Sequence, residues 1–141
     1  MTDTPTNAET TPAERVEALR LADATFAAQG MAVEEVADGR VSVSLAIRPD
    51  MVNGAGVAHG AWVFMVADTA FGYAAATRLP GALTADADIR FHRPAPVGSR
   101  ITADAEVIEQ TRSSLLIDVT VRGEDGRRIA SFRGGARAPR R

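Results

Sequence analysis

Apolar and polar residues alternate along several segments of the chain, which is the pattern of β-strands with one buried face. The alternation is clearest in residues 40–48, where valine and leucine alternate with serine and alanine. Asp38-Gly39 precedes this segment and predicts a hairpin with residues 31–36. Four further strands are predicted at residues 85–91, 101–107, 115–122 and 127–134.

A different pattern occupies residues 61–78, where polar residues are too few to form a solvent-facing stripe. A helix that is apolar on all sides is a core helix. Nearer the start, Thr11-Pro12-Ala13-Glu14 has the form of a capping box and predicts a peripheral amphipathic helix that ends at Gly30. The predicted fold is α+β, with one long central helix wrapped by a curved antiparallel sheet.

The length of 141 residues fits one domain. We expect that domain to span residues 11–137, after a polar, threonine-rich leader at residues 1–10 that has nothing to bury and is expected to be disordered. Residues 138–141 are expected to form a basic tail. No segment of the sequence has the pattern of a membrane span or a signal peptide, so a cytoplasmic protein is predicted.

Composition argues against several classes of function. The chain has no cysteine, which removes disulfides, thiol nucleophiles and thiolate metal sites, and its two histidines argue against a dedicated metal site. A net charge of -2 argues against general nucleic-acid binding. All 16 basic residues are arginine, which suits planar recognition of phosphate but is equally explained by genomic base composition.

One acidic side chain stands within the apolar helix. Asp68 is the only acid between Asp50 and Asp86. An ionised carboxylate in such surroundings is costly to desolvate without partners. Asp68 is therefore a candidate catalytic residue, and the structural alternative is a carboxylate bonded to Thr69, to Asn53 or to loop backbone.

The loop before this helix is rich in glycine, with Gly54, Gly56 and Gly60. Free N–H groups at a helix start can hold a phosphate or a developing oxyanion. Asp68 lies about 12 Å further along the helix than Gly60, too far to act on a group held there. Either the two do not cooperate, or a two-fold dimer brings Asp68 of one chain to Gly60 of the other.

Two loop residues beside Gly60 are further candidates. His59 could donate to a substrate, accept a proton or cap backbone groups. Asn53 could orient a water or bond to Asp68, although asparagine next to glycine often only turns the chain.

Five ordered blocks of sequence carry a family resemblance, and they lie within roughly residues 31–137. The blocks are Met51-Val52-Asn53-Gly54, Ala58-His59-Gly60, Ala67-Asp68-Thr69-Ala70-Phe71, Phe91-His92-Arg93-Pro94 and Phe132-Arg133-Gly134. At these residues the chain resembles the hotdog-fold acyl-CoA thioesterases, most closely those of the phenylacetate-degradation type. The resemblance implies the hotdog fold and subunits that pair edge to edge, often as a dimer of dimers.

The resemblance also implies roles for single residues. The N–H of Gly60 would polarise the thioester carbonyl, while Asp68 of the neighbouring subunit activates water or attacks the carbonyl itself. Asn53 and His59 match loop positions that line the pocket of the family. No cofactor is implied, because coenzyme A is part of the substrate.

Three more positions belong to the predicted substrate site. Arg93 and Arg112 are candidates to meet the phosphates of coenzyme A. Ala61 stands where the family usually has a second glycine, and its methyl group is expected to narrow the acyl pocket or shift the helix start.

The predicted function is hydrolysis of an aryl-acyl or medium-sized acyl-CoA by a homo-oligomer, with no nucleic-acid or membrane partner. One alternative on the same fold is an acyl-thioester dehydratase or hydratase, which would use His59 as an acid and base beside Asp68. The other is a non-catalytic sensor that binds acyl-CoA.

Overall fold

The computed structural model describes residues 10–140, so the predicted leader lies outside the described residues except for Thr10. Two short helices, a hairpin, one long helix and four further strands follow one another along the chain. The elements are α1 (Pro12–Ala22), α2 (Ala24–Gln29), β1 (Ala32–Ala37), β2 (Arg40–Ala46), α3 (Gly60–Arg78), β3 (Leu83–Phe91), β4 (Arg100–Gln110), β5 (Ser114–Arg122) and β6 (Arg128–Arg137).

The six strands form one antiparallel sheet in the order β1-β2-β4-β5-β6-β3. The predicted hairpin joins β1 to β2, and Gly39 provides its positive φ of 77°. β3 stands last in this order and pairs only with β6, so it is an edge strand. Its free edge faces outward.

The core lies between α3 and the concave face of the sheet. Alternate side chains on β2, β4 and β5 point toward α3 and are fully buried, among them Val43, Ala103 and Ile117. Phe132 of β6 packs edge-on against Phe71 of α3, with ring centroids 5.5 Å apart. The predicted arrangement, a long helix wrapped by an antiparallel sheet, is confirmed.

The N-terminal helix differs from its prediction, because it breaks at Asp23 into α1 and α2. Thr11 caps α1 as expected, since its side chain accepts from the N–H of Glu14. Asp23 caps α2 in the same way by accepting from the N–H of Phe26. A side chain that satisfies a free helix N–H favours a new helix start at that point.

The C-terminal strand is longer than the alternation predicted. β6 continues to Arg137, and the N–H of Ala138 donates to the carbonyl of Ser113, so the first residue of the expected tail is bonded to the β4–β5 turn. The domain limits at residues 11 and 137 stay predictions. None of the helices formed by residues 10–140 is long and apolar enough to cross a membrane.

Candidate active site

Asp68 lies near the middle of α3 and is half-buried. The hydroxyl of Thr84 donates to its Oδ1 at 3.3 Å. Burial raises the pKa of Asp68 above its ordinary value of 3.8, and the Thr84 hydrogen bond opposes that rise only in part. A carboxylate with a raised pKa is a stronger base than an exposed aspartate, which suits it to activate water.

Asp68 receives its hydrogen bond from Thr84 and not from Thr69 or Asn53, the partners that the sequence suggested. Thr69 donates instead to the carbonyl of Met65 in its own helix. Asn53 bonds to its own loop. The sequence alone did not identify Thr84. A clue was its position at the start of the first strand after the helix, because the fold brings that strand back alongside α3.

A cavity of about 390 Å³ opens beside the Asp68 carboxyl group. Its walls come from α3, from the start of β3 and from the junction between α1 and α2. The lining residues include Leu19, Asp23, Met65, Gly72, Tyr73 and Leu83. The wall combines apolar side chains such as Met65, which suit an acyl group, with polar ones such as Asp23 and Thr84.

Gly60 begins α3, as predicted, and His59 caps the helix. The Nδ1 atom of His59 accepts from the N–H of Ala61 at 3.2 Å. No described residue accepts from the N–H of Gly60, so this donor and the positive end of the helix dipole are open to a ligand. A Cβ added to Gly60 would lie 3.2 Å from the Phe91 ring, so glycine lets β3 approach the helix start.

Gly60 lines a second cavity, of about 390 Å³, which it shares with Asn53 and Arg93. Asn53 closes the loop below this cavity, because its Oδ1 accepts from the N–H groups of Ala55 at 2.9 Å and Val57 at 3.4 Å. His92 also faces this cavity and contacts the Ser131 hydroxyl through Nε2 at 2.9 Å.

The two cavities share no lining residue. Eight residues of helix separate Gly60 from Asp68, or about 12 Å. Thr84 and Phe91 lie near the two ends of β3, where Thr84 contacts Asp68 and Phe91 lies against Gly60. One chain therefore presents two half-sites at opposite ends of one strand, and does not by itself bring Gly60 and Asp68 together.

The remaining predicted residues lie at different distances from these half-sites. Arg93 is exposed at the rim of the Gly60 cavity, with its Nη1 donating to the carbonyl of Arg128 at 3.1 Å. Arg112 lies in the turn between β4 and β5, near the C-terminal end of α3 and away from Gly60. Ala61 is exposed on the first turn of α3 and lines neither half-site cavity.

Comparison with known proteins assigns this geometry to a family. The family model of the thioesterase superfamily matches residues 55–130, which include Gly60, Asp68 and Thr84. The chain belongs to the thioesterase superfamily. The resemblance noted in the sequence is thereby confirmed.

Similar proteins in this superfamily cover most of the chain. The acyl-coenzyme A thioesterase PaaI of Escherichia coli K12 is 31% identical over 112 residues, 79% of this chain and 80% of the relative. The structure of the Escherichia coli PaaI protein from the phenylacetic acid degradation operon superposes with a TM-score of 0.89 at 28% identity, over 92% of this chain and 94% of that one.

A variant of the phenylacetic acid degradation protein PaaI from Thermus thermophilus superposes with a TM-score of 0.79 at 31% identity, over 83% of this chain and 100% of that one. The predicted hotdog fold is confirmed by these superpositions together with the sheet topology. As a member of this superfamily, the protein is a thioester hydrolase.

Proposed function

We propose that the protein hydrolyses acyl-CoA thioesters, with an aryl-acyl or medium-sized acyl group, to the free acid and coenzyme A. The observation that carries the proposal is the half-buried Asp68, whose pKa is raised and which lines a cavity with both apolar and polar walls. The likeness to an acyl-coenzyme A thioesterase supports the same substrate class.

The chemistry follows from the two half-sites. The thioester carbonyl accepts from the open N–H of Gly60, which stabilises the negative charge that develops on its oxygen. Asp68 removes a proton from a water molecule that attacks the carbonyl carbon, or attacks that carbon itself. When water attacks, the C–S bond breaks, the thiolate of coenzyme A takes up the proton, and the acyl group leaves as a carboxylic acid. When Asp68 attacks, C–S cleavage leaves a mixed anhydride on Asp68, and water then hydrolyses it to the carboxylic acid and the free Asp68 carboxylate.

A site shared between subunits reconciles this chemistry with the separation of about 12 Å between Gly60 and Asp68. In a two-fold dimer, Asp68 of one chain lies beside Gly60 of the other, and two equal sites result. We propose that β3 forms this contact, because its unpaired edge is a template for another strand.

The two half-sites lie near opposite ends of β3. Two copies of β3 that pair antiparallel about a two-fold axis bring the Thr84 end of each strand toward the Phe91 end of the other. Such pairing would also cover Ala87 and Phe91, which point to the concave face yet are exposed, Phe91 at 54%. We also propose that two such dimers associate as a dimer of dimers.

Arg93 is the better placed of the two arginines to meet a phosphate of coenzyme A, because it stands at the rim of the Gly60 cavity. Arg112 could reach such a site only from another subunit. His59 lines neither cavity, and its Nδ1 is engaged as the helix cap, which argues against a role as acid and base, so any contact with substrate is proposed as a supporting one. The cytoplasmic location and the absence of a metal or separate cofactor stay predictions.

The test is release of free thiol from a panel of acyl-CoAs, from acetyl-CoA to phenylacetyl-CoA and its hydroxylated relatives. We expect Asp68→Asn to lower kcat/KM at least about 10²-fold while circular dichroism and the melting temperature show a folded protein. Binding of acyl-CoA without release of thiol by the wild type would contradict the proposal and favour a sensor.

A matched control uses Asp88→Asn on the outer face of β3. Asp88 is an exposed carboxylate that lines neither the Asp68 nor the Gly60 cavity. Its replacement makes the same chemical change as Asp68→Asn, and we expect thiol release to persist.

A further inference from the structure

Gly72 lies one helical turn after Asp68 on α3 and lines the same cavity. A helix is less stable with glycine than with alanine at an interior position, so an interior glycine is usually explained by close packing against a neighbouring segment. At Gly72 that explanation fails, because a Cβ would meet nothing within 4 Å among the described residues. The missing side chain leaves space beside the Asp68 carboxyl group that this chain does not fill.

The opposite wall of this space is the junction between α1 and α2. Leu19 and Asp23 line the cavity from that side, facing α3. Asp23 is fixed there by both of its carboxylate oxygens, since Oδ1 accepts from the N–H of Phe26 and Oδ2 accepts from the hydroxyl of Tyr73 at 2.7 Å. The helix junction is thus bonded directly to α3, five residues beyond Asp68.

The bond between Tyr73 and Asp23 is well suited to hold this wall. Burial raises the pKa of the Tyr73 hydroxyl, and the neighbouring Asp23 carboxylate raises it further, so the hydroxyl keeps the proton that it donates. The Tyr73 ring also packs against Phe26 of α2, with centroids 5.9 Å apart. These contacts hold the α1–α2 junction against α3 on the side of the cavity opposite Asp68.

We infer that the acyl group of the substrate occupies this cavity, and that Gly72 and Leu19 set the largest acyl group accepted. The inference rests on the proposed function and deepens it. Asp68 lies at the cavity wall, where the scissile carbonyl has to be placed, and the apolar side chains of the lining, among them Leu19 and Met65, suit the acyl chain. A volume of about 390 Å³ falls within the range of small-molecule sites.

The experiment compares kcat/KM for acetyl-CoA and phenylacetyl-CoA in Gly72→Leu, Leu19→Trp and the wild type. Filling the cavity should lower the ratio of phenylacetyl-CoA to acetyl-CoA hydrolysis at least about tenfold in each variant. Leu21→Trp is the matched control, because Leu21 lies on the same helix, is 72% exposed and does not line the cavity. Its substrate ratio should equal that of the wild type.

Equal losses for both substrates in Gly72→Leu and Leu19→Trp, or no loss in either variant, would overturn the inference. So would a change of oligomeric state in Gly72→Leu by light scattering, since the space would then belong to a subunit contact. A wild type that releases no thiol from any acyl-CoA would contradict the proposed function instead.

In that last case a binding measurement decides the inference by itself. The probes are the non-hydrolysable thioether analogues of acetyl-CoA and phenylacetyl-CoA, titrated calorimetrically. Weaker binding of the phenylacetyl analogue alone in Gly72→Leu supports the cavity as its site, and unchanged binding of both analogues overturns it.

Discussion

The sheet has two parts that differ in how α3 covers them. On β2, β4 and β5 the side chains facing the helix are sealed, and Val43, Ala103 and Ile117 have no exposed surface. On β3 the equivalent face is open, with Ala87 exposed and Phe91 exposed at 54%. The first part forms the core of the domain. The second part, which also carries Thr84, stays accessible to a second subunit.

The largest effect is expected when the two half-sites are disabled in separate chains. Asp68→Asn and Gly60→Val should each lower kcat/KM about 10²-fold or more, the second because its side chain meets the Phe91 ring. Chains of the two variants refolded together should recover about a quarter of the wild-type rate, since half of the dimers would carry one intact site.

This recovery is measured by thiol release before and after the two variants are mixed. Mixing each variant with itself is the control and should recover nothing. A mixture as inactive as its components would mean that Gly60 and Asp68 do not meet across subunits.

A charge on the open strand should break the subunit contact, and activity should fall with the fraction of chains that dissociate. Ala87→Arg places a guanidinium on the concave face of β3, where one chain alone leaves it in solvent. We expect dissociation by light scattering and at least about a tenfold lower rate at low protein concentration, because a buried unpaired charge is costly.

Asp88→Arg, the next residue on the opposite face of β3, is the control and should leave the pair of subunits intact. Ala87→Arg that stays oligomeric and fully active would show that this strand is not the contact.

Thr84→Val should shift the pH profile of hydrolysis. The reaction needs ionised Asp68, so kcat/KM rises with pH through the raised pKa of that group. Thr84 donates to the carboxylate and holds the pKa down, so its loss moves the acid limb to higher pH. The measurement is kcat/KM from acid to neutral pH.

Thr69→Val provides the comparison for the pH profile. Its hydroxyl bonds to the Met65 carbonyl within α3, so the acid limb should stay where it is. A limb that moves equally in both variants would argue against Thr84 as the group that tunes Asp68.

The smallest effects concern two glycines, Gly134 of β6, which is tightly packed, and Gly72 of α3, which is not. At Gly134 a Cβ would lie 2.7 Å from the Asp86 carbonyl oxygen and 2.8 Å from the Phe71 ring, so Gly134→Ala should cost about 1–3 kcal/mol of unfolding free energy. Gly72→Ala should add about 0.5–1 kcal/mol, because its Cβ meets nothing. Urea denaturation measures both, and destabilisation by Gly72→Ala would mean that the space is already occupied.

The sequence predicted most of the fold because its patterns are local. Alternation over residues 40–48 and the Asp38-Gly39 turn specify a hairpin, and the lack of polar residues in 61–78 specifies a buried helix. The break at Asp23 was missed, since its causes are a cap that competes with helix continuation and a bond from the distant Tyr73.

The sequence by itself also determined which residues carry the candidate chemistry, because an acid in an apolar helix and an open glycine at its start are unusual whatever surrounds them. It determined as well that they lie too far apart to act together within one chain, since helix rise is fixed by the backbone. Only the tertiary structure decided that Thr84 holds Asp68, that Phe91 lies over Gly60, and that Gly72 borders unfilled space. Each of these is a contact, or a missing contact, between segments distant along the chain, and it depends on how the sheet folds back along the helix.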